Sequence, residues 1–554
     1  MPAAGQTDSG VTTPPVGAPG EIDGVGGSGG GSAGNGGGGM VAGTGGKAVV
    51  DAGGTADTGP GAGGSTGSGA TDLVHGLSVD DVAIYQATKL SLVKMGQAVT
   101  TLDTPLVKNR PALVRVFVTP PAGWQARPVV ARLQWGAGPP KDVMMTVSAA
   151  SSDSVMLSTF NFSLVAADLM AAQVQWSISL LEAPGGTGTG DTTGARVPAD
   201  GTMASLPTTD PGTSLKITFV PIRSAGTLPD TSDTNIKFLT DSMFATYPIA
   251  KIETTVRDPI DVAGTISAMG PGWDTALNQV CMTRQTDKPA RNVFYYGLVT
   301  PGPFQTYCAR GCVEGIAVLA SNPNQDAMRC SMGIGYTNQG SGVFLQEVAH
   351  SMGRSHAPCG NPAQPDKNYP YAGAKIGVWG YDMVRQRLID PTKTVDFMSY
   401  CSPVWISDYT FTKLLPWIQA VNMLVPSMFV SGAAESPDLA PGLFAPSASA
   451  VSERAPFPPV VSAGLKFPPA RWRVATVEWD GNIVWGPLVD FDEIADGIPN
   501  TVVLRDAQGA RSTVSGVLFP HSTTGGGMLL LPATVPARVS ALQLGNDQRL
   551  RTVR

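Results

Sequence analysis

Hydrophobic positions alternate with polar ones in short runs between residues 73 and 212. These runs are rich in β-branched residues, are separated by Pro and Gly turns, and include Val82 and Ile84, Leu113 to Val118, Val129 to Leu133, and Val174 to Leu180. A period of two is typical of half-buried strands, and this stretch has no long helical period. Residues 73–212 therefore predict an antiparallel β-sandwich-like domain that serves positioning or recognition.

The pattern changes at about residue 213. A short alternating strand is followed by hydrophobic residues at helical spacing behind two cap candidates, Ser232 and Asp233. Further elements follow in the order strand, helix, strand, strand: Ile252 to Val256, Trp273 to Val280, Val293 to Leu298, and Gly315 to Ala320. Strands alternating with helices predict an α/β domain over residues 213–430.

Two segments have the composition of linkers, and a second β region follows the later one. Of the 67 glycines, 26 lie in the first 70 residues, which are poor in aromatic and charged residues, so residues 1–72 predict a disordered Gly-rich linker. Residues 431–470 are rich in Pro, Ser and Ala. In residues 471–554, the turn Asp480-Gly481 between two apolar runs predicts a hairpin in a C-terminal β domain. The predicted fold is multidomain, with the α/β domain flanked by two all-β, sandwich-like domains.

Charge and hydropathy exclude two classes of partner. The formal net charge is -6 and no run of Lys and Arg occurs, which argues against nucleic acid binding. The longest apolar stretches, such as Met528 to Pro532, are far shorter than the roughly 20 residues of a transmembrane helix. We expect the protein to be a monomer.

All six cysteines lie between residues 281 and 401. An even, clustered set predicts three disulfides and an oxidising compartment, although free thiols or a sulfur-ligated metal site are alternatives and 15 pairings are possible. No signal peptide is evident in residues 1–20, so export would use a start further upstream or another route. We expect an extracellular or cell-envelope-attached protein.

The candidate chemistry is concentrated in residues 346–356. This segment, Gln-Glu-Val-Ala-His-Ser-Met-Gly-Arg-Ser-His, matches H-E-x-x-H-x-x-G-x-x-H at every position except the first. Residues i and i+4 share a helix face, so Gln346 and His350 would point at one spot with Glu347 beside them. Gly353 can adopt the positive φ that ends the helix and returns His356 to that spot. Three ligands with one open position describe a catalytic Zn²⁺ site in which Glu347 is the general base.

A second motif extends the resemblance to a known family. The segment Asp396-Phe397-Met398-Ser399-Tyr400-Cys401 resembles the Met-turn of the metzincin clan of zinc metalloendopeptidases, in which a methionine forms an apolar floor beneath the metal. Tyr400 matches a position where some metzincins carry a tyrosine that binds metal or stabilises the oxyanion; ordinary packing of its ring is the alternative. The sequences around His356 and residues 376–382 are similar to bacterial secreted mucinase-type metzincins. On this resemblance, we expect Cys359 to pair with Cys401 and to join the third ligand segment to the Met-turn.

The substitution of Gln346 for the first histidine leaves three outcomes. An amide oxygen is a weaker zinc donor than imidazole, so the site could be weakened but working, completed by Asp382 or Asp396, or catalytically dead. The first function hypothesis is a zinc metalloendopeptidase that cleaves extracellular proteins or glycoproteins. Its alternatives are an inactive metzincin-like binding or adhesion protein and an envelope structural protein.

Three other residues have side chains that occur in active sites, but we predict ordinary structural roles for them. His75 and His521 are the histidines outside the motif, and we assign neither a catalytic role. Arg354 is interpreted as a solvated helix end.

Overall fold

The computed structural model describes residues 50–51, 71–424 and 466–553, except positions 263, 363–364, 468–469, 492–493, 496, 525, 537, 546 and 548. The two predicted linkers, 1–72 and 431–470, fall almost entirely outside these residues. The described chain is mostly β with few helices, which fits the all-β content predicted for the flanking regions. Of the described helices, none is both long enough and apolar enough to cross a bilayer.

The N-terminal region forms two antiparallel sheets around one core. A short strand, β1 (Val50–Asp51), precedes this region and pairs with the central sheet. The strands of the N-terminal region are β2 (Val79–Tyr85), β3 (Ala87–Lys94), β4 (Gln97–Ala98), β5 (Ala112–Val118), β6 (Arg127–Trp135), β7 (Lys141–Val147), β8 (Phe160–Leu164), β9 (Gln173–Glu182), β10 (Arg196–Val197) and β11 (Ala204–Pro207). One sheet runs β10-β9-β6-β7 and the other contains β3-β2-β5-β8. Ile84 and Val114 of one sheet pack in the same core as Leu133 and Ile178 of the other. This arrangement fits the predicted sandwich.

The central region contains a mixed sheet and all five α-helices of the described chain. Its elements are β12 (Leu215–Arg223), α1 (Asp233–Thr246), β13 (Ile252–Val256), β14 (Ile260–Asp261), α2 (Trp273–Asp287), β15 (Val293–Val299), α3 (Phe304–Tyr307), β16 (Gly315–Ala317), β17 (Cys330–Ile334), α4 (Ser341–His350), β18 (Gly380–Asp382), β19 (Arg387–Ile389), β20 (Val395–Asp396), β21 (Val404–Trp405) and α5 (Asp408–Met423). The sheet order is β1-β13-β12-β15-β17-β16, in which β13, β12, β15 and β17 are parallel and β16 is an antiparallel edge strand. Short 3-10 turns occur at Met156–Ser158, Ala166–Leu169, Asp326–Met328 and Ala372–Ala374.

Two predicted elements have different ends in the structure. Helix α2 continues past Val280 to Asp287, because its later residues remain buried and Arg284 donates to the carbonyl of Val293. Strand β16 stops at Ala317 rather than residue 320, since the amide of Leu319 donates to Pro520 of the C-terminal region, 3.1 Å away.

The hairpin β18–β19 extends a sheet of the N-terminal region. Gly380 on β18 pairs with Thr88 on β3 in antiparallel register. The indole Nε1 of Trp405 donates to the carbonyl of Ala87 at 2.9 Å. The N-terminal and central regions therefore share backbone hydrogen bonds, which no local sequence pattern predicts.

Arg110 makes a second buried link between these regions. Its guanidinium is fully buried and donates to the carbonyls of Phe244, Ala245 and Ile249 at and just after the end of α1. A cation is favourable there because the carbonyls at a helix C-terminus carry partial negative charge. Burial lowers the pKa of Arg110 to about 9.

The C-terminal region contains a seven-stranded antiparallel sheet and a separate two-stranded one, and the larger sheet packs on α2. Its strands are β22 (Lys466–Phe467), β23 (Ala470–Val477), β24 (Ile483–Phe491), β25 (Ile494–Ala495), β26 (Ile498–Arg505), β27 (Arg511–Pro520), β28 (Gly527–Pro532), β29 (Ala541–Leu544) and β30 (Arg551–Thr552). The predicted hairpin is confirmed as β23–β24. Val474 and Phe519 share a core with Trp273 and Leu277 of α2, so this region is packed against the central sheet.

Candidate active site

Helix α4 carries the motif and is buried along its whole length. Its ten residues are all buried, because Leu345 and Val348 face one hydrophobic core while Val343 faces another. Gln346 and Glu347 are consequently enclosed as well. Buried polar groups need partners or a ligand, so their surroundings define the site.

The two motif histidines face each other. Nε2 of His350 lies 3.1 Å from Nε2 of His356, and Nδ1 of His350 lies 2.6 Å from the carbonyl oxygen of Arg354. A carbonyl can only accept, so Nδ1 carries the hydrogen and neutral His350 presents a lone pair at Nε2. Gly353, with φ of 73°, makes the turn between them, and a Cβ there would lie 2.6 Å from the ring of Trp417.

The donor set fits a zinc ion. Two imidazole nitrogens on one tetrahedral zinc are separated by about 3.3 Å, since each Zn–N bond is about 2.0–2.1 Å, and the two Nε2 atoms are 3.1 Å apart. Burial, followed by the neighbouring His356, lowers the pKa of His350 well below its usual value, which keeps the ring in the neutral form that ligates metal. Gln346 lines the cavity beside Glu347 and can supply an amide oxygen.

The carboxylate of Glu347 lies between an edge strand and a loop from the C-terminal region. Its Oε2 accepts a hydrogen bond from Oγ of Ser522 at 3.1 Å. Burial raises the pKa of Glu347 to about 8, and the Ser522 hydrogen bond acts in the opposite direction. The backbone of Gly315 on β16 approaches so closely that an added Cβ would lie 2.7 Å from Cγ of Glu347. Both neighbours restrict where this carboxylate can lie.

The Met-turn is organised by a buried aspartate. The carboxylate of Asp396 accepts from the amides of Met398 (2.8 Å) and Ser407 (3.0 Å). Met398 is buried in the same core as Val348 of α4, and its carbonyl accepts from the amide of Ala357, 2.9 Å away. The turn therefore packs against the helix that carries the motif.

Tyr400 brings an aromatic ring to the histidine pair. Its ring centroid is 4.8 Å from that of His356, and it lines the same cavity as Gln346 and Glu347. Burial, with a contribution from Glu347, raises the pKa of Tyr400 to about 12, against a hydrogen bond from Thr523 that lowers it. Its phenol is therefore a protonated hydrogen-bond donor at neutral pH.

Three disulfides are present, as predicted. They join Cys281 to Cys330, Cys308 to Cys312, and Cys359 to Cys401. The last is the pairing expected from the family resemblance, and it lies beside Gly360, where a Cβ would be 2.6 Å from Cβ of Tyr400. Cys308 and Cys312 also lie near the carboxylate of Glu314, but sulfurs joined to each other are not thiolate ligands.

The two carboxylates considered as replacement ligands are engaged elsewhere. Asp396 holds the Met-turn, and Asp382 accepts from the amides of Val384 and Arg385 and pairs with the Arg385 guanidinium at 3.2 Å. Neither aspartate lines the cavity that contains Gln346. Both aspartates therefore have structural partners of their own.

The environment of Arg354 differs from the one predicted from the sequence. Its guanidinium pairs with the carboxylate of Asp366 at 2.9 Å, and its side chain is only 14% exposed. Interpretation as a solvated helix end was wrong, because the partner lies in a following loop that the motif does not include.

The connection between β27 and β28 also contributes to the site, which no motif in the sequence predicted. The cavity, of about 290 Å³, is lined by Thr523 of this connection together with Gly315, Gln346, Glu347 and Tyr400. Its sequence resembles an ordinary turn, and the adjacent His521 was the available signal.

Part of the chain matches a model of a known protein family. A family model described as Peptidase M66 matches residues 319–402, a segment that contains the motif helix and the Met-turn. No curated protein matches the chain. Part of this protein is thus similar to a metallopeptidase family, and peptidase activity is what that similarity supports.

Proposed function

We propose that this protein is a zinc-dependent metalloendopeptidase that hydrolyses peptide bonds in extracellular proteins or glycoproteins. The observation that carries the proposal is the convergence of Gln346, Glu347, His350, His356 and Tyr400 on one region of the protein. The sheet with its antiparallel edge strand β16 beside α4, together with the packed Met-turn, supports a metzincin-like arrangement of residues 213–430.

Each of these side chains has a role that its chemistry permits. Gln346, His350 and His356 would hold the zinc ion, which when bound supplies a Lewis acid that polarises the peptide carbonyl and acidifies water. Glu347 accepts the proton of the attacking water as general base and later delivers it to the leaving amine. Burial raises the pKa of Glu347 to about 8 in the metal-free protein, which makes its carboxylate a stronger proton acceptor than that of an exposed glutamate. The Tyr400 phenol donates a hydrogen bond to the charge that develops on the carbonyl oxygen.

The surroundings of the site support an extracellular substrate. Three disulfides fit a protein that folds in an oxidising compartment. We propose that the chain works outside the cell or attached to its envelope, as a monomer, and that the flanking β regions present the substrate.

Zinc content and proteolysis of the full chain test this function. We expect close to one equivalent of zinc after purification without chelator, and cleavage of an unstructured protein that a chelator abolishes. Glu347→Gln should keep the zinc and lose turnover, because the ligands remain while the general base is gone. Less than about a tenth of an equivalent of zinc, with no chelator-sensitive cleavage, would favour the inactive binding protein instead.

A further inference from the structure

The connection between β27 and β28 docks onto the edge strand next to the site. Beyond the end of β16, the amide of Leu319 donates to the carbonyl of Pro520 at 3.1 Å. The amide of Ser522 donates to the carbonyl of Ala317 at 2.8 Å. The C-terminal sheet therefore continues the hydrogen-bonding edge of the central sheet at the position where Glu347 lies.

The hydroxyl of Ser522 has a defined direction. Its oxygen accepts from the amide of Ala317 at 2.9 Å and lies 3.1 Å from Oε2 of Glu347. A hydroxyl has a single hydrogen, and that of Ser522 is donated to Oε2 of Glu347, while Oγ1 of Thr523 lies 3.2 Å from the same Ser522 oxygen. Ser522 is buried, and hydrogen bonds to an ionised group are about twice as strong as neutral ones.

A buried hydrogen-bond network holds this connection in place. Nδ1 of His521 lies 2.6 Å from the carboxylate of Asp274, and both side chains are completely buried. Nε2 of the same ring lies 3.2 Å from Oδ1 of Asn278, one turn further along α2. Thr524 also donates to the Asp274 carboxylate, and a Cβ on Gly526 would lie 2.4 Å from it. The His521 and Asp274 side chains present no surface to solvent, and the network fixes the residues on both sides of Ser522.

We propose that residues 521–524 of this connection are part of the catalytic centre, with Ser522 as the positioning residue that orients the Glu347 carboxylate. The His521–Asp274 pair anchors the connection to α2, and Thr523 contacts Tyr400 from the same segment. This inference rests on the proposed peptidase function. It makes the C-terminal region a contributor to catalysis in addition to any substrate binding.

Replacement of Ser522 tests the positioning role in the full chain. We expect Ser522→Ala to lower kcat about tenfold to a hundredfold, as for loss of one hydrogen bond to a charged group, with KM changed less than about twofold. Ser522→Thr keeps the hydroxyl and should restore most of kcat. Ser540→Ala is the matched control, because this hydroxyl of the same region bonds only to the carbonyls of Arg505 and Asp506. An unchanged kcat in Ser522→Ala, with an active wild type, would overturn the proposal.

Hydrogen exchange provides a readout that does not need turnover. In the full chain, His521→Ala and the milder Thr524→Val should accelerate amide exchange at Ala317 and Leu319, because the connection that accepts their hydrogen bonds is released. His75→Ala, which removes a partly exposed ring bonded to Gly190, should leave those amides unchanged. Protection that persists in both variants would refute the anchoring role. A wild type that shows this protection but neither zinc nor cleavage would instead refute the peptidase function.

Discussion

Gln346→His replaces an amide oxygen with an imidazole nitrogen at the one position that departs from the three-histidine motif. Residue 346 lies one helical turn before His350 and lines a cavity of about 290 Å³, which has room for the imidazole. Imidazole is the stronger zinc donor, so we expect affinity to rise at least about tenfold, or about 1.4 kcal/mol. At free zinc of about 100 times the wild-type Kd, bound metal stabilises the wild type by about 2.7 kcal/mol and the variant by about 4.1 kcal/mol. For a domain of about 150–250 residues, this difference in stabilisation corresponds to about 3–6 °C in Tm.

Thermal unfolding in a zinc buffer measures this difference, with each protein compared with its own zinc-free form. Gln346→Leu removes the oxygen donor and should show a smaller zinc-dependent shift than the wild type. Gln125→His places the same imidazole on an exposed loop, where Gln125 contacts only the carbonyl of Gly123, and should behave like the wild type. Equal zinc-dependent shifts in the wild type and both variants at residue 346 would refute the assignment of this side chain as a ligand.

Three further predictions test the packing and electrostatics around the site. Gly315→Ala should lower kcat about a hundredfold and cost about 1–3 kcal/mol, because its Cβ would overlap Glu347; Gly302→Ala, where nothing lies within 4 Å, is the kinetic and unfolding control. In metal-free protein, the raised pKa of Glu347 stabilises the fold below about pH 4.5, and this contribution is lost as pH rises through about 8. Unfolding free energy relative to Glu347→Gln should therefore fall over that window by up to about 1.4 kcal/mol per pH unit, and a flat difference would contradict the burial argument. Arg110→Lys should cost about 2–3 kcal/mol in urea unfolding because an ammonium cannot satisfy three carbonyls in the guanidinium geometry; a loss below about 0.5 kcal/mol would contradict it.

Local patterns in the sequence predicted those elements whose hydrophobic period is set by one buried face. The helix behind Ser232 begins at Asp233, and the strand from Ile252 ends at Val256, as the spacing indicates. The relative positions of the motif residues were also predictable, because helical periodicity and one glycine turn relate them over only 11 positions. These features depend on interactions between near neighbours, which a sequence displays directly.

Contacts between distant segments were not predictable in the same way. Ser522 meets Glu347 across 175 residues, and Gly380 pairs with Thr88, which lies much further away along the chain. Such pairings depend on which sheet edges remain open after the regions have packed. The alternation of hydrophobic and polar residues identifies a strand but does not indicate which strand it pairs with. Arg354 was misjudged for a related reason, because burial of its guanidinium depends on a loop that folds back over it.

The pairing of β18 with β3 limits how the chain can be divided. A fragment of residues 213–424 would lack β3, so the backbone groups of Gly380 and Tyr381 that bond to it would become an open strand edge. The indole of Trp405 would lose its acceptor, and the carbonyls that Arg110 satisfies would be left in an apolar surface. Open edges and exposed apolar surface are templates for association between copies. Recombinant production of the motif-bearing region alone should therefore give aggregates, whereas a piece that retains residues 71–553 keeps every one of these surfaces covered.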